Sequence, residues 1–189
     1  MLLDSYQGQL LIAQPKCQSD FFKESVVLVA KHSSQGAWGL MLNKPLPIAD
    51  FDFAELLDHT GVENPLKVNS PMFIGGPLER GRVCILHTSD YSSSSTREIV
   101  PGLSISVDMN ILAAIAGGEG PKDFRAYTGI SGWSAGQLDG EMRGEAPWTQ
   151  QHKWLSIPAN YENVMEIDHE VQWNACLEAA VRLEVREFF

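Results

Sequence analysis

The first apolar run, Gln9–Ala13 (QLLIA), is short, unbroken and closed by Pro15, which predicts a buried strand. Asp20–Glu24 is a polar-aromatic connector. Ser25–His32 (SVVLVAKH) is rich in valine, whose branched side chain suits the pleated backbone. The turn residues SSQG at 33–36 lead into Ala37–Leu42, its hairpin partner. That partner ends at Asn43-Lys44-Pro45, because proline has no donor to extend a ladder.

Helical spacing then takes over. Asp52, with Glu55 three residues on and Leu56-Leu57 behind it, predicts a capped helix closed by Gly61. Residues 62–71 form a loop. Met72–Ile74 and Val83–His87 read as strands on either side of the turn GGPLERG. YSSSST at 91–96 reads as a mobile polar loop, and Leu103–Val107 as a strand. Asp108 is an N-cap for Met109–Ala116, whose Ile111, Leu112 and Ile115 make one stripe. Phe124–Gly129 alternates as a half-buried strand. Lys153–Ile157 and Val164–Ile167 are further strands. Asp168 caps a last helix with Val171, Ala175 and Ala179 on one face.

Without regular βαβ alternation, eight or nine strands and about four peripheral helices predict an α+β fold. It is a single compact domain over residues 1–189, built on a mixed, hairpin-rich and partly barrel-like sheet. No internal repeat or domain linker interrupts it.

Residues 129–141, GISGWSAGQLDGE, join a strand to a helix. With Ser134 as N-cap, Gln137 falls at the third helical position and completes a capping box, while Trp133 and Leu138 form the hydrophobic staple. Asp139 and Glu141 then favour the positive end of the helix. Gly136 has no role in that scheme and costs helix propensity, which implies a close packing neighbour or a ligand in front of it.

Composition narrows the function. Charged residues are 20% and apolar residues 44% of the 189, as in a water-soluble globule, and the formal charge is −10. No basic run is present, which opposes direct nucleic-acid binding. Three distant cysteines, Cys17, Cys84 and Cys176, make neither a disulfide scaffold nor a zinc motif. Cys84 and Cys176 lie in core-like runs, and Cys17 lies in a polar turn. No signal peptide or membrane span is apparent, and a reducing cytoplasm fits best.

Three segments together are similar to one family. GQLLIAQPKCQSDFFKESVVLVAKHSSQGAWGLMLNKPL, FIGGPLERGRVCILHTSD and TGISGWSAGQLDGEMRGEAPW resemble the YqgE/AlgH family in order and spacing, across about residues 8–180. The resemblance implies a bacterial cytoplasmic protein with a compact α+β fold. Some members carry the label of transcriptional regulator of alginate production, most are uncharacterised, and the family supplies no settled catalytic residues. In ERGRVCILH the chain departs from the family pattern, where an acidic-basic pair before the strand is more usual.

The candidate functional surface comprises His32, Asn43, Gly75, Gly76, His87, Trp133, Gly136, Gln137 and Glu141. His32 and His87 each end a strand, so each either caps its turn or serves as base or ligand near neutral pH. A catalytic reading needs His32, His87 and Glu141 to converge within about 10 Å. Metal-binding spacings, a phosphate loop and a serine-hydrolase elbow are all missing, so no cofactor or metal is expected. The glycines of IGGPLERG fit a hairpin that needs positive φ. Trp38, Trp133, Trp154 and Trp173 read as core or staple, and Trp148 as partly exposed. The expected function is that of a non-enzymatic regulatory or binding protein with a protein or small-molecule partner. An enzyme and a direct transcriptional regulator are the alternatives.

Overall fold

The structure is a computed structural model and describes residues 5–17, 19–47, 51–147 and 154–187. Nine strands form one curled, largely antiparallel sheet with helices packed around it, an α+β half-barrel. The strands are β1 (Gln9–Ala13), β2 (Val26–Ser33), β3 (Gly36–Met41), β4 (Met72–Ile74), β5 (Leu78–Thr88), β6 (Arg97–Val100), β7 (Leu103–Ser106), β8 (Phe124–Trp133) and β9 (Trp154–Pro158). They run in the order β6-β7-β5-β8-β3-β2-β1-β9, with β4 added parallel to β8. The helices are α1 (Phe53–His59), α2 (Met109–Gly117), α3 (Gln137–Arg143) and α4 (His169–Glu187). None of the described helices is long and apolar enough to cross a membrane.

The apolar runs of β1 and β2 are continuous because both faces of the sheet are covered. On one face Leu10, Leu28, Leu40, Leu86 and Ile105 pack with Val164, Cys176 and Ala180 from the C-terminal segments. On the other face Leu11, Val27, Val29 and Met41 pack with Trp133, Leu138 and Trp154. A third cluster sets α1 and α2 on the sheet through Leu57, Ile85, Ile111 and Ala126. The capping box of α1 forms in both directions, Asp52 accepting from Glu55 N–H at 2.9 Å and Glu55 from Asp52 N–H at 3.1 Å. Asp108 caps α2 as expected.

Five local expectations need correction. Residues 97–100, given no element from sequence, form the edge strand β6, directly after the expected serine loop, in which the Ser93 hydroxyl reaches Asp108. GGPLERG is not a hairpin turn, because β4 and β5 both pair with β8 rather than with each other. Instead the register jumps between Leu78–Ile130 and Val83–Thr128, leaving a wide bulge at 79–82. β8 runs past Gly129 to Trp133, so the first five residues of GISGWSAGQLDGE are strand. Val164–Ile167 is not a strand: its first three residues belong to a π-helix, Glu162–Glu166. Only Val164 is buried there, and Arg125 of β8 donates to the Met165 carbonyl at 2.9 Å. The buried face of α4 carries Gln172, Cys176 and Ala180, one position on from the predicted stripe; Val171 is 54% exposed. The Trp173 indole donates to the Ala13 carbonyl at 2.7 Å and sets that rotation.

Candidate functional site

Four of the sequence candidates meet at one end of β8. Trp133 ends that strand, and α3 begins after the turn 134–136. Glu141 is 2% exposed and accepts three N–H bonds: the Trp133 and Trp154 indoles both donate to Oε2 at 2.9 Å, and the Gln137 amide donates to Oε1 at 2.9 Å. Charge-assisted bonds of this kind are the strong ones, and here they fasten α3 to the sheet. Gln137 also accepts from the Ser134 N–H at 3.0 Å, which is the return half of the predicted box. The other half is absent: Ser134 uses its backbone carbonyl, not its hydroxyl, to accept from Gln137 N–H.

Gly136, not Ser134, is the N-cap, and its φ of 72° is left-handed. A Cβ there would have nothing within 4 Å. The backbone conformation therefore accounts for this glycine, in place of the close neighbour expected. Trp133 and Leu138 share one buried cluster, but with Gly136 as the N-cap they do not hold the N′ and N4 positions of the expected staple.

His32 lies nearby. Its Nδ1 accepts the Tyr6 N–H at 3.1 Å, which leaves Nε2–H to face Asp139 at 3.3 Å. His87 does not join this group. Strand register sets His87 opposite Phe124, whereas His32 faces Ala37, which faces Trp133. The two ends of β8 are roughly 25–30 Å apart at about 3.3 Å per residue. The His32–His87–Glu141 cleft is thus not assembled.

His87 is fully buried and its ring is pushed toward the neutral form, chiefly by burial. Nδ1–H donates to the Thr88 carbonyl at 2.8 Å, so Nε2 accepts from the Ser106 hydroxyl at 2.9 Å. Ser106 accepts in turn from Thr96 at 2.6 Å, and Thr96 from the Ser93 N–H at 2.7 Å. The Ser93 hydroxyl reaches Asp108 at 2.6 Å. Burial raises the Asp108 carboxyl, but bonds from Ser93, Ser95 and the Ile111 N–H outweigh it and hold the group down to about 2.

The remaining candidates have structural partners. Asn43 accepts from Val26 N–H at 2.9 Å and donates to the Glu24 carbonyl at 2.8 Å, clamping the start of β2. Gly75 and Gly76 thread between strands: a Cβ on Gly75 would lie 2.3 Å from the Gly129 carbonyl oxygen, and one on Gly76 would lie 2.1 Å from that of Ile130. Close backbone approach, rather than positive φ, requires glycine at both. Trp148 lies outside the described residues. Burial pushes the Cys84 and Cys176 thiols up to about 11.

A different set of residues, from β2–β3, β5 and β6–β7, lines a cleft of about 370 Å³. Gly8 lies beside Val100 near it. Lys31, Arg82 and Arg97 bring three cations to the cleft, and Trp38 forms part of its wall. The Arg82 guanidinium sits 5.5 Å from the centre of the Trp38 ring and holds Glu79 at 2.9 Å. Two register irregularities place these groups: the 79–82 bulge carries Arg82, and a shift between Val29 and Lys31 turns Lys31. Arg97 stands on the edge strand β6. Sequence reading missed this site because its cations come from three separate segments and form no run. The local signal was the cross-strand pair Lys31–Trp38 in the hairpin.

Comparison with known proteins follows the fold. The family model described as AlgH-like matches residues 10–182. A UPF0301 protein of Methylococcus capsulatus is 35% identical over 174 residues, 92% of this chain and 90% of that one. One from Cereibacter sphaeroides is 36% identical over 172 residues, 90% and 89%. The solution structure of the AlgH protein from Pseudomonas aeruginosa superposes with a TM-score of 0.73 at 28% identity, covering 94% of this chain and 89% of that one. A crystal structure of a protein from Corynebacterium diphtheriae shares the fold, with a TM-score of 0.65 at 21% identity over 89% and 84%.

Proposed function

This chain is a member of the AlgH-like family, and from that membership we propose that it is a non-enzymatic regulatory or binding protein of the cytoplasm, acting through an anionic partner held in the cleft between β2–β3 and β6–β7. One observation carries the reading. In a chain of formal charge −10, Lys31, Arg82 and Arg97 converge on a single concavity beside Trp38. Cations gathered against the net charge create a local field that attracts and orients an anion.

Neither alternative draws comparable support. The proposed catalytic histidines stand at opposite ends of β8. The cations line a small concavity rather than an extended row that could track successive phosphates of a duplex.

The test is calorimetric titration of a panel of anionic metabolites against the wild type and the Lys31→Glu/Arg97→Glu double variant. Binding that weakens as salt rises and weakens about tenfold or more in the double variant supports the proposal. Binding that ignores both salt and charge reversal overturns it, as does a panel with no ligand at all.

A further inference from the structure

The cleft is not uniformly polar, and its division into floor and rim says more about the occupant. Ala30 and Ile105 are almost fully buried and form an apolar floor, which Ile99 and Val107 extend toward solvent. The cationic groups stand above it: Lys31 and Arg97 are exposed, and Arg82 is half-buried over Trp38. One acid lies at the rim, Glu98, and its Oε1 already accepts the Gly102 N–H at 3.1 Å. Gly8 stands against Val100 and the Ile99 carbonyl, beside this wedge of mixed polarity.

We propose that this wedge binds an amphiphilic monoanion: a small molecule with an aliphatic or planar apolar body against Ala30, Ile99, Ile105 and Val107, and a carboxylate or similar head among Lys31, Arg82 and Arg97. This rests on the binding reading above and deepens it. A fully hydrated anion would gain nothing from the floor, since burying an apolar wall against an ion's water shell releases no ordered water from either surface. A neutral apolar molecule would leave Lys31 and Arg97 unused at its edge. Only a ligand carrying both parts uses both halves of the cleft. Arg82 is pre-positioned for the head by its contacts with Trp38 and Glu79, which lowers the entropy cost of engaging a carboxylate. An added peptide strand fits less well. β6 has only four residues, and its far end is blocked at Val100.

Methyl-selective NMR titration of the full chain tests this with three probes: octanoate, 1-octanol and inorganic phosphate. Signals of Ala30, Ile99, Ile105 and Val107 report the floor, and the Trp38 indole reports the rim. Octanoate is expected to shift all of these, with an affinity about tenfold or more above that of either other probe. Lys31→Glu/Arg97→Glu should weaken octanoate about tenfold, while leaving 1-octanol unchanged. Val107→Asn, a change at an exposed position, should weaken octanoate about threefold or more and leave the fold intact. Phosphate binding as tightly as octanoate, insensitive to Val107→Asn, would overturn the amphiphile and keep the anionic cleft. Equal binding of 1-octanol and octanoate, unmoved by charge reversal, would overturn both. Silence from all three probes would overturn the amphiphile, and the metabolite titration would then decide the broader reading alone.

Discussion

Near the start of β3 the two faces of the sheet meet polarity in opposite ways, Ala37 pairing with Trp133 and its neighbour Trp38 with Lys31. Around Trp133, Glu141 and Trp154 every polar group has its partner inside the protein, and the cluster is sealed. Around Lys31, Trp38 and Arg97 the charges face outward across an open wedge. Both regions join an aromatic ring to charged side chains, so residue type alone does not separate them. Saturation does. A closed set of donors and acceptors holds secondary structure together, whereas an open set of like charges has capacity left for something else.

The sharpest way to break this contrast is at Glu141. Glu141→Ala leaves two buried indole N–H groups and the Gln137 amide without an acceptor, and should cost about 3 kcal/mol or more in urea denaturation. Glu141→Gln, which retains one carbonyl oxygen, should lose less. A loss below about 1 kcal/mol in the alanine variant would show that the cluster is not what holds α3.

Asp108 offers the next test, through pH. Its folded pKa is depressed to about 2 against roughly 3.9 in the unfolded chain, so its contribution is fully present above about pH 4 and disappears as pH falls through 2. Allowing for its partial exposure, Asp108→Asn should cost about 1–2 kcal/mol at pH 7 and progressively less below pH 4. A pH-independent difference between variant and wild type would remove ionisation from the account. Gly136→Ala should cost about 1 kcal/mol through its left-handed backbone, and Gly136→Asn less. Equal costs for the two would point to contacts that the open space before Gly136 does not show. Smallest of all, Lys31→Glu/Arg97→Glu should change stability by no more than about 0.5 kcal/mol per site, while abolishing most anion binding. A large stability loss there would mean that the open set is structural after all.

Much of the sheet was legible because covered strands leave a strong apolar signal. β1, the β2–β3 hairpin and the caps at Asp52 and Asp108 need only local pattern. What escaped depends on partners distant in sequence. β6 has two exposed charged residues and gains its strand conformation from β7. The bulge at 79–82 exists because β5 pairs with β8 on both sides of it, and no local pattern encodes that register. Gly75 and Gly76 read as positive-φ hairpin positions, but their reason is a crossing backbone at Gly129 and Ile130. Histidines at two strand ends looked equivalent until pairing placed them apart. The cleft stayed hidden for the same reason, since Lys31, Arg82 and Arg97 become neighbours only when the sheet curls.

One pairing also shapes how the molecule must be made. β1 lies between β2 and β9, and its residues 9–13 bond to 154–158. During synthesis the first strand therefore emerges long before its second neighbour exists. Until residue 158 has cleared the ribosome, β1 presents an unpaired apolar edge, the kind of surface that recruits other nascent chains or a chaperone. Closure of so long a loop also makes folding slow relative to the local hairpin. A ribosome-stalled chain ending before β9 should thus be captured by chaperones far more than one released at full length.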